Sequence, residues 1–191
     1  MKLKYNSPVV LTYFFASALA LALSYVIPEA TYIKIFSVYE ASFADPMAYV
    51  RLFMHILGYF KDYTAFISTM LMLLVIGPPL EEKYGSKSIV LAILFTAVTV
   101  GLYQMLFVDT PLSGAAVIMF MMIVLASNAG ASTGHIPLSL ILVILLFVAE
   151  GYIDIVINDS ATPFSRILGA VCGVLMAIYF TRRQKKQAAR K

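Results

Sequence analysis

Six apolar segments, near residues 8–27, 64–80, 87–108, 113–128, 137–157 and 165–181, take up most of this chain. A helix that crosses a bilayer needs about 20 mostly apolar residues, and each segment comes close to that length. The breaks between them carry turn-forming residues: Pro28-Glu29, the run from Gly77-Pro78-Pro79 to Ser86, Asp109-Thr110-Pro111, the stretch 128–137 and the stretch 158–163. The expected fold is therefore all-α, a polytopic bundle of six transmembrane helices. A hydrophobic content of 61% and a mean hydropathy of +0.89 exclude an ordinary soluble domain. No long polar stretch remains for a second domain, so residues 1–181 are expected as one membrane domain, followed by a basic tail at 182–191.

The first segment follows Lys2 and Lys4 as a signal peptide would, but it is longer than a typical cleavable core and is read as a retained helix. The fourth is short, about 16 residues, and needs a neighbouring loop to dip into the bilayer or the bilayer to thin around it. Six spans place both termini on one side, and basic residues say which. Lys2, Lys4, Lys83, Lys87 and the six basic residues of the tail make ten on that side, against Lys34, Arg51, Lys61 and Arg166 on the other. The positive-inside rule then makes both termini cytoplasmic, in what is expected to be a bacterial cytoplasmic membrane. The bilayer is the expected partner and nucleic acid is not, because the net charge of +4 comes from the crowded tail. The tail serves as a stop-transfer anchor or binds anionic headgroups.

The first loop, about 28–63, mixes aromatic residues (Tyr32, Phe36, Tyr39, Phe43, Tyr49, Phe53, Tyr59, Phe60) with scattered charges and is suited to the membrane interface. Cys172 is the single cysteine and His55 and His135 are the two histidines, so no disulfide, metal cage or cofactor is expected.

Three features stand out, the stretch Arg51-Leu52-Phe53-Met54-His55-Ile56-Leu57-Gly58, the stretch Gly77-Pro78-Pro79-Leu80-Glu81-Glu82-Lys83-Tyr84-Gly85-Ser86 and the pair Gly169 and Gly173, and together they resemble the rhomboid intramembrane serine proteases. The sequence from Arg51 through His55 to Gly58 is similar to the first-loop sequence leading into the second helix of that family. The sequence from Gly77 to Ser86 is similar to the rhomboid turn after it, where the glutamate, here Glu81, orders the end of the helix. Gly169 and Gly173, four apart, match the flat strip on which the family's histidine helix meets its serine helix. The resemblance implies a compact six-helix bundle with a long interfacial first loop. Arg51, His55, Glu81, Gly169 and Gly173 would be structural positions in it.

The same resemblance implies a serine nucleophile at the start of helix four, a histidine base on helix six, and oxyanion donors on helix two. Aligned on Gly169 and Gly173, the histidine position holds Arg166. A guanidinium has no acceptor lone pair and stays protonated, so it cannot act as a base. The nucleophile position reads in two registers: Pro111-Leu112-Ser113-Gly114 gives Ser113, and Gly114-Ala115-Ala116-Val117 gives Ala116. Ser113 is otherwise expected as a helix N-cap. Helix two places Ala65 and Thr69 where the donors would be, and only Thr69 can donate.

Glu150 and Asp154 lie four apart on one face of the fifth segment. They either form a gate cluster with Arg166 or sit hydrated at the interface. The leading expectation is a rhomboid pseudoprotease that binds transmembrane helices of client proteins without cleaving them, as iRhoms and derlins do. The alternatives are an active serine endopeptidase using Ser113, and a small transporter using Glu150 and Asp154.

Overall fold

The structure, a computed structural model, describes residues 7–42, 44–129 and 162–188, together with Leu138, Ile141, Leu142 and Leu145. Seven α-helices are described: α1 (Pro8–Leu23), α2 (Glu29–Phe36), α3 (Pro46–Met54), α4 (Tyr63–Tyr84), α5 (Ser86–Phe107), α6 (Ala116–Ala129) and α7 (Thr162–Ala188). A 3-10 turn, His55–Leu57, follows α3. Among the described residues there is no strand, only one isolated antiparallel bridge between Val38 and Leu112. The expected fifth span, 137–157, lies outside the described residues apart from those four helical positions.

Among the described residues, three helices are long and apolar enough to cross a bilayer: α4, α5 and residues Phe164–Gln184 of α7. The helices α1 and α6 are apolar but shorter, at 16 and 14 residues. At 1.5 Å per residue α6 spans only about 21 Å, well short of a hydrocarbon core of about 30 Å. It forms the centre of the molecule, with Val117, Ile118, Phe120, Met121, Met122, Val124 and Leu125 all buried. A helix that is apolar all round belongs in such a place, and α7, α4 and α5 pack around it.

The break expected at Gly77-Pro78-Pro79 is not there. Helix α4 runs through both prolines to Tyr84. Each proline removes one backbone donor, yet neighbouring helices can support such a segment in a membrane helix. Here α1 lies against it: a Cβ on Gly77 would come within 2.6 Å of Val10 Cγ2. The helix ends instead at Gly85, whose φ of +83° favours glycine. At the other extreme, α7 continues past the expected 181 to Ala188, into the basic tail.

Glu81 fastens this end. It is buried, and its carboxylate accepts from the backbone N–H of Val9 (3.0 Å) and of Val10 (3.2 Å), and from the Ser86 hydroxyl (2.6 Å). A carboxylate at the amino end of α1 satisfies otherwise orphaned donors and complements the helix dipole. The rings of Tyr84 and Phe180 meet 5.2 Å apart, so the end of α7 sits beside the end of α4. The start of α1 and the end of α7 thus lie at the same end of the bundle.

The opposite end is built from the first loop. Arg51 is buried; its Nε donates to the Lys34 carbonyl (2.8 Å), one terminal nitrogen lies 3.4 Å from Asp45, and the guanidinium stacks 4.5 Å over Tyr39. Asp45 also caps α3, accepting from Met47 N–H. Tyr32 stacks on Phe36 beside Ala20, joining α2 to the end of α1. On α3, Met47, Val50 and Phe53 stay exposed while Ala48, Arg51 and Leu52 face inward.

The α6–α7 seam and its surroundings

The first loop holds the segment that leads into α6 through backbone hydrogen bonds. Val38 and Leu112 exchange N–H···O bonds of 2.9 and 2.8 Å, Glu40 N–H donates to Val108 (3.0 Å), and Gly114 N–H donates to the His55 carbonyl (2.8 Å). Gly114 has φ of +100°, and its open side faces the Tyr59 ring at 3.4 Å. Residues 108–115 therefore turn in beside the start of the short α6, tied down before the helix begins.

Ser113 lies in that turn and is exposed, three residues ahead of α6. It is not the N-cap that the sequence leads one to expect, because the helix opens at Ala116 and the capping position is Ala115. A tyrosine does the work there: Ala115 N–H donates to Tyr59 Oη at 2.9 Å. Ala116 is the first residue of α6 and half-buried.

Gly169 and Gly173 lie directly on α6. A Cβ on Gly169 would come within 2.6 Å of the Val117 carbonyl oxygen, and one on Gly173 within 2.6 Å of that of Met121. Both contacts advance by four residues along both chains, so α6 and α7 run parallel with backbones touching. Arg166 stands three residues before Gly169 and is half-buried. Glu150 and Asp154, its expected partners, lie outside the described residues, as does His135.

Of the two expected donors on α4, Ala65 is half-buried and offers no polar group, while Thr69 is buried. Tyr59 Oη accepts from Ala115 N–H, so Tyr59 holds the start of α6. Burial pushes the Tyr59 phenol up to about 12, and its backbone N–H in turn donates to Tyr32 Oη at 2.9 Å. His55 is fully buried, with Nδ1 3.0 Å from the Arg51 carbonyl, and burial lowers its pKa to about 4. Its ring sits against α5: a Cβ on Gly101 would be 3.4 Å from His55 Cε1.

Sequence reasoning passed over two polar groups. Gln104 and Ser165 are fully buried; the Ser165 hydroxyl donates to Gln104 Oε1 (2.9 Å), and Gln104 Nε2 donates to the Thr110 carbonyl (2.6 Å). This chain joins the end of α5, the start of α7 and the turn before α6. The available signal was a lone glutamine within an apolar run, since a buried amide needs partners. Tyr59 gave less warning, being one of many aromatics in the first loop.

Long apolar helices packed around a buried short one define an integral membrane protein. The Rhomboid domain profile matches residues 46–183, and the chain belongs to the rhomboid family. No individual curated protein matches it closely.

Proposed function

We propose that this protein is a rhomboid pseudoprotease, which holds transmembrane segments of client proteins without cleaving them. The observation that carries this reading is the composition of the α6–α7 seam. Just ahead of the contacts of Gly169 with Val117 and of Gly173 with Met121 stand Arg166 on α7 and Ala116 on α6, and neither can supply a nucleophile or a base. Ser113 is exposed in the preceding turn, and His55 is buried against α5 with Nδ1 on a carbonyl. Of the two oxyanion positions, Thr69 alone carries a donor and Ala65 carries none. Losing one member of a catalytic triad removes several orders of magnitude in rate.

Client binding is inferred from the family alone, by analogy with its inactive members. Both termini are read as cytoplasmic, supported by Lys83, Lys87 and Arg183 lying together at the end that carries the start of α1.

The test is cleavage by the purified chain, reconstituted in liposomes with a helix-destabilised transmembrane substrate. The expected result is no cleavage but efficient photo-crosslinking of the substrate. Cleavage that disappears in Ser113→Ala would overturn the reading in favour of a serine endopeptidase. Absence of crosslinking would overturn client binding.

A further inference from the structure

We propose that the protein carries a built site for one anionic phospholipid, with the headgroup phosphate at the α4–α5 turn and an acyl chain between α1 and α5. A cavity of about 390 Å³ opens at this end of the bundle, lined by Lys83, Lys87 and Arg183 together with Gly85, Ser86 and Ser88. Lys87 and Arg183, from two separated parts of the chain, converge there, and among the described residues no carboxylate lines the cavity.

Two acidic residues, Glu81 and Glu82, stand near the turn in the chain. The Glu81 carboxylate is engaged by two α1 N–H groups and the Ser86 hydroxyl, and Glu82 is exposed and does not line the cavity. The first turn of α5 has no acidic residue and no side-chain cap, so its helix dipole adds to the attraction for an anion. A side chain at Gly85 would meet nothing within 4 Å, which leaves the backbone at the turn open to a bulky headgroup.

A second, apolar groove begins at the same place. It holds about 470 Å³ between α1 and α5, lined by Val9, Thr12, Tyr13, Ala16, Val90 and Leu94, and Ser86 lines both spaces. From Ser86 to Leu94 the groove descends roughly 12 Å at the helical rise. That is close to the depth of one leaflet's hydrocarbon layer, about 15 Å. A basic cavity at the helix ends and an apolar groove that share Ser86 as a lining residue match an amphiphile, not a free phosphate. The bilayer supplies amphiphiles of this polarity at this depth, and the cationic lining selects the anionic ones.

The experiment uses the full chain in dodecyl maltoside, with native mass spectrometry to count bound lipid and thermal unfolding as a second readout. Phosphatidylglycerol is expected to bind one per chain and to raise the unfolding midpoint; phosphatidylcholine and soluble glycerol phosphate are expected to do neither. The double variant Lys87→Gln/Arg183→Gln should weaken phosphatidylglycerol binding about thirtyfold, and Lys87→Arg/Arg183→Lys should retain it. Val90→Trp, which narrows the groove without changing charge, should also weaken it.

Equal binding of phosphatidylcholine, or undiminished binding by the charge-removing variant, would overturn the site. Binding of glycerol phosphate with the same affinity as the lipid would overturn the role of the groove. If the charge-removing variant does not fold, the charge-retaining pair and Val90→Trp decide the matter against the same three ligands.

Discussion

Gly169 meets the carbonyl oxygen of Val117 so closely that even a methyl group would stand 2.6 Å from it. The neighbour is backbone, not a side chain that can turn away, so any Cβ at 169 must push α7 off α6. Gly169→Ala should cost about 1–3 kcal/mol, the usual range for overpacking. Gly169→Ala/Gly173→Ala should cost more, because Met121 presents the same obstacle one turn on. Midpoints of unfolding in mixed micelles measure both. A variant as stable as the parent would mean that the seam is not close-packed.

Glu81→Gln should loosen the amino end of α1. The glutamine amide nitrogen cannot accept, so at least one of the bonds from Val9, Val10 and Ser86 is lost, along with the charge. The expected cost is about 1–3 kcal/mol, with faster hydrogen exchange at Val9 and Val10 as the local sign. Exchange unchanged at those two amides would contradict the clasp.

His55 makes stability depend on pH. Its pKa in the folded chain is about 4, pushed down from an ordinary 6.5 by burial. The unfolded chain therefore binds the extra proton between those values, and stability falls as pH drops from about 6.5 to about 4, with no further loss below. The shift is worth up to ~3 kcal/mol. Unfolding midpoints at pH 7 and pH 5 measure the effect, and His55→Asn should flatten the difference. A parent protein equally stable at both values would refute it.

Tyr59→Phe removes the acceptor for Ala115 N–H. With that buried donor left unsatisfied, the loss should be about 1–3 kcal/mol. Protease accessibility of residues 108–115 should rise along with it. A rise in accessibility without loss of stability would show that Tyr59 orders the turn only.

Ala116→Ser/Arg166→His separates the two registers of the nucleophile. Under the pseudoprotease reading, this pair should give slow cleavage of a transmembrane substrate, held about 10²–10³-fold down by the depleted oxyanion donors. Arg166→His alone, with Ser113 left in place, should give none. Cleavage by the single variant, lost on adding Ser113→Ala, would assign the serine to position 113 instead.

Much of the helical plan can be read in the chain, because an apolar run long enough to span a bilayer has few other fates. Five of the six apolar segments fall on α1, α4, α5, α6 and α7. The limits were harder. Pro78 and Pro79 look like a stop but are carried inside α4, and Gly85 ends it through a backbone angle that composition does not reveal. At the candidate site, Gly169 and Gly173 can be recognised by spacing, since small residues at close helix approaches are a one-dimensional signal. The links from Tyr59 to Ala115 and from Gln104 to Ser165 reach across 56 and 61 positions, and nothing local in the sequence marks them.

Three of the bonds that hold the turn before α6 join peptide groups, pairing Val38, Glu40 and His55 with Leu112, Val108 and Gly114, while Tyr59 and Gln104 add side-chain bonds at Ala115 and Thr110. Bonds of that kind do not depend on which side chains stand at those positions. Mutation at those six positions can therefore exchange side chains at the head of α6 while the peptide bonds, together with Tyr59 and Gln104, keep the frame in shape. A lineage with such a frame can give up one activity and take up another without passing through an unfolded intermediate.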